Sequence, residues 1–150
     1  MLYLGVIAVI FTGDLLLKNW IEKNKKEGAT QKILGGFLLL HKHHNKGFIL
    51  NKASSRQPLV AALSLGMAVF CTAIFLLTLG NRGSALLQTG LSLLLGGAYS
   101  NTYDRLHRKY VVDYFSINVP IKSVANLIFN FSDFCIMIGS MICVLALNFE

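Results

Sequence analysis

Apolar positions in this chain are gathered into four long runs separated by polar segments. Within residues 58–80 the one ionisable side chain is Cys71. At about 1.5 Å of rise per residue, such a run crosses the roughly 30 Å of hydrocarbon in a bilayer. A core helix of a soluble protein keeps a wet face, and this segment has none. Residues 2–21 are uncharged apart from Asp14 and Lys18, residues 85–103 carry no charge, and residues 126–147 carry only Asp133. Backbone polar groups in lipid must be satisfied within their own segment, so the pattern predicts four transmembrane helices at about these bounds. The first run lacks a basic stretch before it and a small-residue cleavage pattern after it, so it reads as a retained span, not a removed signal peptide.

The polar segments between the runs cover residues 22–57, 81–84 and 104–125. The second, Asn-Arg-Gly-Ser, is long enough only for a tight turn between antiparallel helices. Residues 33–40 form an apolar patch too short to span, which reads as a strand pair or as a segment lying at the membrane interface. Residues 110–117 are rich in Val, Tyr and Phe and predict a short extended piece before Pro120. The fold class expected is therefore an all-α integral membrane protein. It is one domain over residues 1–150, with a small β-like or interfacial cradle in the first loop.

Composition adds weight to this picture. Hydrophobic residues make up 54% of the 150 residues and charged residues 14%, against roughly 25% charged in soluble domains. Of the 14 Lys and Arg residues, 8 lie in the first loop, 4 in the third, and Arg82 alone in the second. The first and third loops share one side of a four-span protein, and the positive-inside bias assigns that side to the cytoplasm. The net charge of +7 fits attraction to anionic lipid headgroups. Nucleic acid is not expected as a partner, because no aromatic-rich basic module accompanies the charge. Cys71, Cys135 and Cys143 all fall in apolar runs and read as packing residues.

Candidate chemistry lies in the few acids at membrane depth, where a carboxyl is costly unless functional or paired. Asp14 and Lys18 stand four apart on one helical face and can neutralise each other. Asp113 and Asp133 sit in apolar settings with no basic residue beside them in sequence. Two such carboxyls at one surface can share a proton, one acting as base and the other as acid. Residue types alone leave them open as a catalytic pair, helix caps or ion-conducting groups.

The motifs narrow that choice. Gly96-Gly97-Ala98-Tyr99-Ser100-Asn101-Thr102-Tyr103-Asp104-Arg105, followed by Val111-Val112-Asp113-Tyr114-Phe115, resembles the GGAxxNxxDR…VVDF pattern of the lipoprotein signal peptidases (signal peptidase II). Phe129-Asn130-Phe131-Ser132-Asp133 is similar to that family's FNxAD motif. Asn45-Lys46-Gly47 resembles its Asn-x-Gly, and Asp14 with Lys18 its Asp-x-x-x-Lys. The motifs stand in family order over nearly the whole chain.

The resemblance implies an aspartic endopeptidase with Asp113 and Asp133 as the catalytic dyad. Asn45, Gly47, Asn101, Arg105 and Asn130 would line or support the site, Asp104 would pair with Arg105 or hold its loop, and Asp14 with Lys18 would support the fold. The implied substrate is a prolipoprotein carrying diacylglycerol on its lipobox cysteine, cut just before that cysteine. The implied setting is the bacterial cytoplasmic membrane with the site and an extracellular cradle at the outer face, and the chain a monomer. That orientation opposes the charge bias, and the ordered motifs are given precedence over it. No metal or organic cofactor is implied. A rival reading is a non-catalytic relative that binds lipidated peptides, or an ion-conducting protein.

Four departures from the family pattern touch the site walls. Ser100 replaces a glycine, Ser132 an alanine and Tyr114 a phenylalanine, and residues 48–52 depart from the usual small-residue run. His41, His43 and His44 suggest a metal, but no Cys or carboxylate spacing completes such a site, and a solvated basic loop is the simpler reading. Gly96 and Gly97 suit close helix packing.

Overall fold

The computed structural model describes residues 1–47, 57–80 and 85–149. The predicted turn at 81–84, with Arg82, and the divergent segment at 48–52 lie outside the described residues. Along the chain run α1 (Leu2–Asn24), β1 (Gln31–Ile33), a 3₁₀ turn (Leu34–Gly36), β2 (Leu38–Asn45), α2 (Gln57–Thr78), α3 (Ala85–His107), β3 (Val111–Ile117), α4 (Lys122–Ala125) and α5 (Phe131–Phe149). The protein is mostly helical, with one small sheet.

Among the described residues three helices, α1, α2 and α5, are long and apolar enough to cross a membrane. Their apolar side chains point outward: Phe70 on α2 and Met141 on α5 are each about 60% exposed. A water-soluble fold buries such residues, whereas a helix packed in lipid shows them. The remaining expected span corresponds to α3, which has the length but a more polar composition. Its polar residues are turned inward, since Gln88, Ser92, Ser100, Asn101, Thr102 and Asp104 are all buried. Helices α1, α2 and α5 all pack on α3, which makes it the centre of the bundle.

Glycines let the helices approach closely. A Cβ on Gly96 would lie 2.7 Å from Ile10 on α1, and one on Gly97 would lie 2.5 Å from the Ser132 carbonyl oxygen on α5. The two adjacent glycines thus serve different neighbours of α3, one α1 and the other α5. Farther along, Gly90 and Gly139 press the same two helices together, each blocked by the other's backbone. Small residues at helix crossings give van der Waals packing where lipid supplies no hydrophobic drive.

The first loop yields the strand pair, one of the two readings its apolar patch allowed. β1 pairs antiparallel with β2, and β2 with β3, so the third loop completes the sheet. Gly35 and Gly36 turn the chain between β1 and β2 with φ of 67° and 92°, a region that favours glycine. A bulge in β2 between Leu40 and His43 resets the register so that His43 faces Asp113 and Asn45 faces Val111.

The last helix begins later than the apolar run implied, at Phe131 instead of near residue 126. Phe129 is occupied as a strand, exchanging backbone hydrogen bonds with Phe115 at 2.8 and 3.0 Å. Asn130 then caps the helix: its Oδ1 accepts the Asp133 N–H at 3.0 Å, while Asp133 Oδ2 accepts the Asn130 N–H at 3.0 Å. This reciprocal capping box defines the helix start. It also fixes where Asp133 stands.

Candidate active site

The sheet and the bundle meet where β3 and α5 present Asp113 and Asp133. The capping box holds Asp133 at the first turn of α5, and the β2–β3 pairing places Asp113 opposite His43. Asp113 is 3% exposed. One residue joins the two acids: Asn130 Nδ2 donates to Asp113 Oδ1 at 2.8 Å, and the Asn130 N–H donates to Asp133 Oδ2. The other two carboxylate oxygens are held in the same manner. Asn45 Nδ2 donates to Asp113 Oδ2 at 3.0 Å, and Asn101 Nδ2 to Asp133 Oδ1 at 2.9 Å.

Each of these asparagines is oriented by a donor on its own carbonyl oxygen, which forces the amide nitrogen toward an acid. For Asn45 the donor is the Gly47 N–H at 3.1 Å. For Asn130 it is the Asp133 N–H, and for Asn101 it is Lys18 Nζ at 2.8 Å. The residues grouped by the motifs thus come together around two carboxyls, drawn from the first loop, α3, β3 and the start of α5.

Lys18 is the hub behind this arrangement. Its ammonium lies 2.8 Å from Asp14 and 3.3 Å from Asp104, and donates to Ser100 as well as Asn101. Lys18, Asp14 and Asp104 have no exposed surface. Asp104 also meets Arg108 at 3.1 Å and accepts the Val112 N–H at 3.1 Å, tying α3 to β3. Arg105 lines a cavity and comes within electrostatic reach of Asp113 and Asp133. Lys18 also acts electrostatically on both acids. The two carboxyls lack cations beside them in sequence, but not in space.

Burial first, and the neighbouring Asp133 second, push the Asp113 carboxyl up from its ordinary range to about 7. Asp113 therefore tends to keep its proton well above the pH at which an ordinary carboxyl loses it. Burial and Asp14 likewise push the Tyr114 phenol up, and its hydroxyl stays a donor.

Beside Asp133 is a cavity of about 420 Å³ between α2, α3 and α5. Asp133, Asn101 and Arg105 form its polar end, and Leu63, Met67 and Ile136 line the rest.

Three side chains that sequence reasoning treated only as altered walls belong to the hub. Ser100, Ser132 and Tyr114 all donate hydroxyl hydrogen bonds to Asp14, at 2.6, 2.5 and 2.8 Å. A signal was present: a buried Asp in one apolar run needs donors, and hydroxyls elsewhere in the chain can supply them. The histidines take separate roles. His41 bonds Ser116 at 2.8 Å, and His44 bonds Glu22 at 2.7 Å while stacking on Tyr110. No metal-holding group of three or more His, Cys, Asp or Glu occurs among the described residues.

Comparison with known proteins gives a consistent likeness. Residues 6–149 match the family model described as signal peptidase (SPase) II. A lipoprotein signal peptidase of Latilactobacillus sakei subsp. sakei is 32% identical over 148 residues, covering 95% of each chain. One from Lactobacillus johnsonii is 34% identical, over 99% of this chain and 92% of its own. Two solved structures, each described as a bacterial membrane enzyme, share the fold. They have TM-scores of 0.80 and 0.78 at 21% and 22% identity, and cover 97% and 99% of this chain and 87% and 93% of their own.

Proposed function

The chain belongs to the signal peptidase II family, and from that premise we propose that it is an aspartic endopeptidase acting within the membrane. Its substrate is a prolipoprotein already carrying diacylglycerol on the cysteine that follows the signal peptide. The observation that carries the reading is Asn130 bonded to both Asp113 and Asp133, with one amide or backbone donor on each carboxylate oxygen.

The chemistry follows from a shared proton. Asp133 takes a proton from water, and the resulting hydroxide adds to the scissile carbonyl carbon. Asp113 gives its proton to the carbonyl oxygen, and a tetrahedral intermediate forms. Collapse breaks the C–N bond as Asp133 passes the proton it took from water to the leaving nitrogen and Asp113 regains a proton from the gem-diol hydroxyl, so that the signal peptide ends in a new carboxyl and the lipidated cysteine becomes the new N-terminus. The apolar cavity beside Asp133 receives the substrate segment, and Arg105 and Asn101 hold its polar backbone. No metal or organic cofactor enters this sequence.

In the proposed arrangement α3 is a fourth span, its polar face shielded by α1, α2 and α5. The whole chain forms one domain and works as a monomer. The sheet, Asp113 and Asp133 lie at the outer face of the bacterial cytoplasmic membrane, the basic loops lying against lipid headgroups. A reporter inserted between α2 and α3 should read cytoplasmic, and an external reading would contradict this orientation.

The pH dependence tests the shared proton. Asp113 must hold a proton and Asp133 must lack one, so turnover should fall as pH rises through about 7. The kcat of the purified protein in lipid, measured from pH 5 to 9, should show an alkaline limb with its midpoint near that value. A flat profile across that range would count against the dyad. Stability should move the same way. A raised carboxyl pKa means the folded state binds a proton that the unfolded chain has released, so stability declines as pH climbs from 3.8 to about 7.

A further inference from the structure

We propose that Ser100, Tyr114 and Ser132 are positioning residues that set the geometry of the two acids through Asp14. The inference rests on the dyad reading and deepens it. Each hydroxyl is one residue away from the machinery: Ser100 precedes Asn101, Tyr114 follows Asp113, and Ser132 precedes Asp133. All three converge on the carboxylate of Asp14, Ser100 and Ser132 on Oδ2 and Tyr114 on Oδ1. They come from α3, β3 and α5, and Asp14 comes from α1, so one buried side chain ties four segments together.

Two further bonds make the tie directional. The Tyr114 hydroxyl accepts the N–H of Phe131 at 2.8 Å, which fixes β3 against the first residue of α5. Ser100 accepts from Lys18 Nζ, whose next bond orients Asn101 toward Asp133. Ser100 and Ser132 have no exposed surface and Tyr114 is 3% exposed, so water cannot replace these donors. A carboxylate accepting one ammonium and three hydroxyl bonds in a dry site has little freedom to move. Helix packing alone would place the segments to within an ångström or so, and an error of about 1 Å between reacting groups can cost roughly a hundredfold in rate. The hydroxyls remove that slack. They coincide with three of the positions at which this chain departs from the motif pattern, so here the departures form one unit.

The test compares Ser100→Gly, Ser132→Ala and Tyr114→Phe, singly and together, with the parent protein and Asp113→Asn in lipid. The readouts are kcat and KM on a diacylglyceryl-modified precursor, corrected for folded fraction by thermal unfolding. Each single change should lower kcat about tenfold and leave KM within about twofold, because the groups touch no substrate. The triple variant should fall by less than the product of the single losses, because all three act through one carboxylate. If kcat per folded molecule stays at the parent value and only the unfolding temperature drops, the hydroxyls are structural anchors and the proposal is overturned while the dyad stands. If Asp113→Asn keeps near-parent turnover, the dyad reading fails and takes this inference with it.

Discussion

Replacing Asp133 or Asp113 with asparagine should lower turnover of a lipidated precursor by about a thousandfold, within the range that positioned acid–base groups contribute. Both variants should insert and fold. In Asp133→Asn the new side-chain carbonyl oxygen could still accept the Asn130 N–H, so the capping box at the start of α5 would persist in part. At Asp113 the native carboxyl faces two amide donors, from Asn45 and Asn130. An asparagine there satisfies one of them and removes the buried acid whose charging the fold resists, so stability should hold or rise above pH 7. The informative combination is full-length, folded protein with KM near the parent value and kcat close to zero. Turnover within about tenfold of the parent in either variant would remove that acid from the chemistry.

Lys18→Met should have the second large effect, and on stability. The ammonium is buried without exposure between Asp14 and Asp104, and it also bonds Ser100 and Asn101. Methionine approximates its volume but supplies none of these donors. Breaking a buried ion pair from one side typically costs about 3–5 kcal/mol, because the remaining charge is stranded. Asp14 would keep its three hydroxyl donors and Asp104 would keep Arg108, which is why we expect a large loss instead of complete failure to insert. Thermal unfolding in detergent should show a marked drop. Adding Asp14→Asn should recover part of it, since the stranded charge is then gone. A Lys18→Met protein melting within about 2 °C of the parent would show that the hub contributes little.

Much of the site was legible because the chain places few polar groups at membrane depth. Asp113 and Asp133 stood out against apolar neighbours, and Asn45, Asn101 and Asn130 stood in motifs. Their mutual bonding was not legible, because it joins residues as distant as Asn45 and Asp113, and pairing in space leaves no local pattern. The capping box of Asn130 and Asp133 is the exception, since its spacing of three is visible in any helix start. A helix cap was one of the readings left open for Asp133, but the span bounds of 126–147 started the helix too early to show which residue closed the box. The run at residues 85–103 was recognised by its lack of charge, but nothing in the sequence showed that the polar residues of α3 turn inward against its neighbours. Ser100, Tyr114 and Ser132 looked like independent changes to the site walls until α1 was seen to supply their common acceptor.

The most direct test follows the mass of a purified precursor incubated with the protein in lipid, with and without diacylglycerol on its cysteine. The expected result is two products from the lipidated form: the free signal peptide, and a mature chain beginning with the modified cysteine. The unlipidated form should remain intact. Equal cleavage of both forms, cleavage at another bond, or no cleavage of the lipidated form by folded protein would contradict the proposed function.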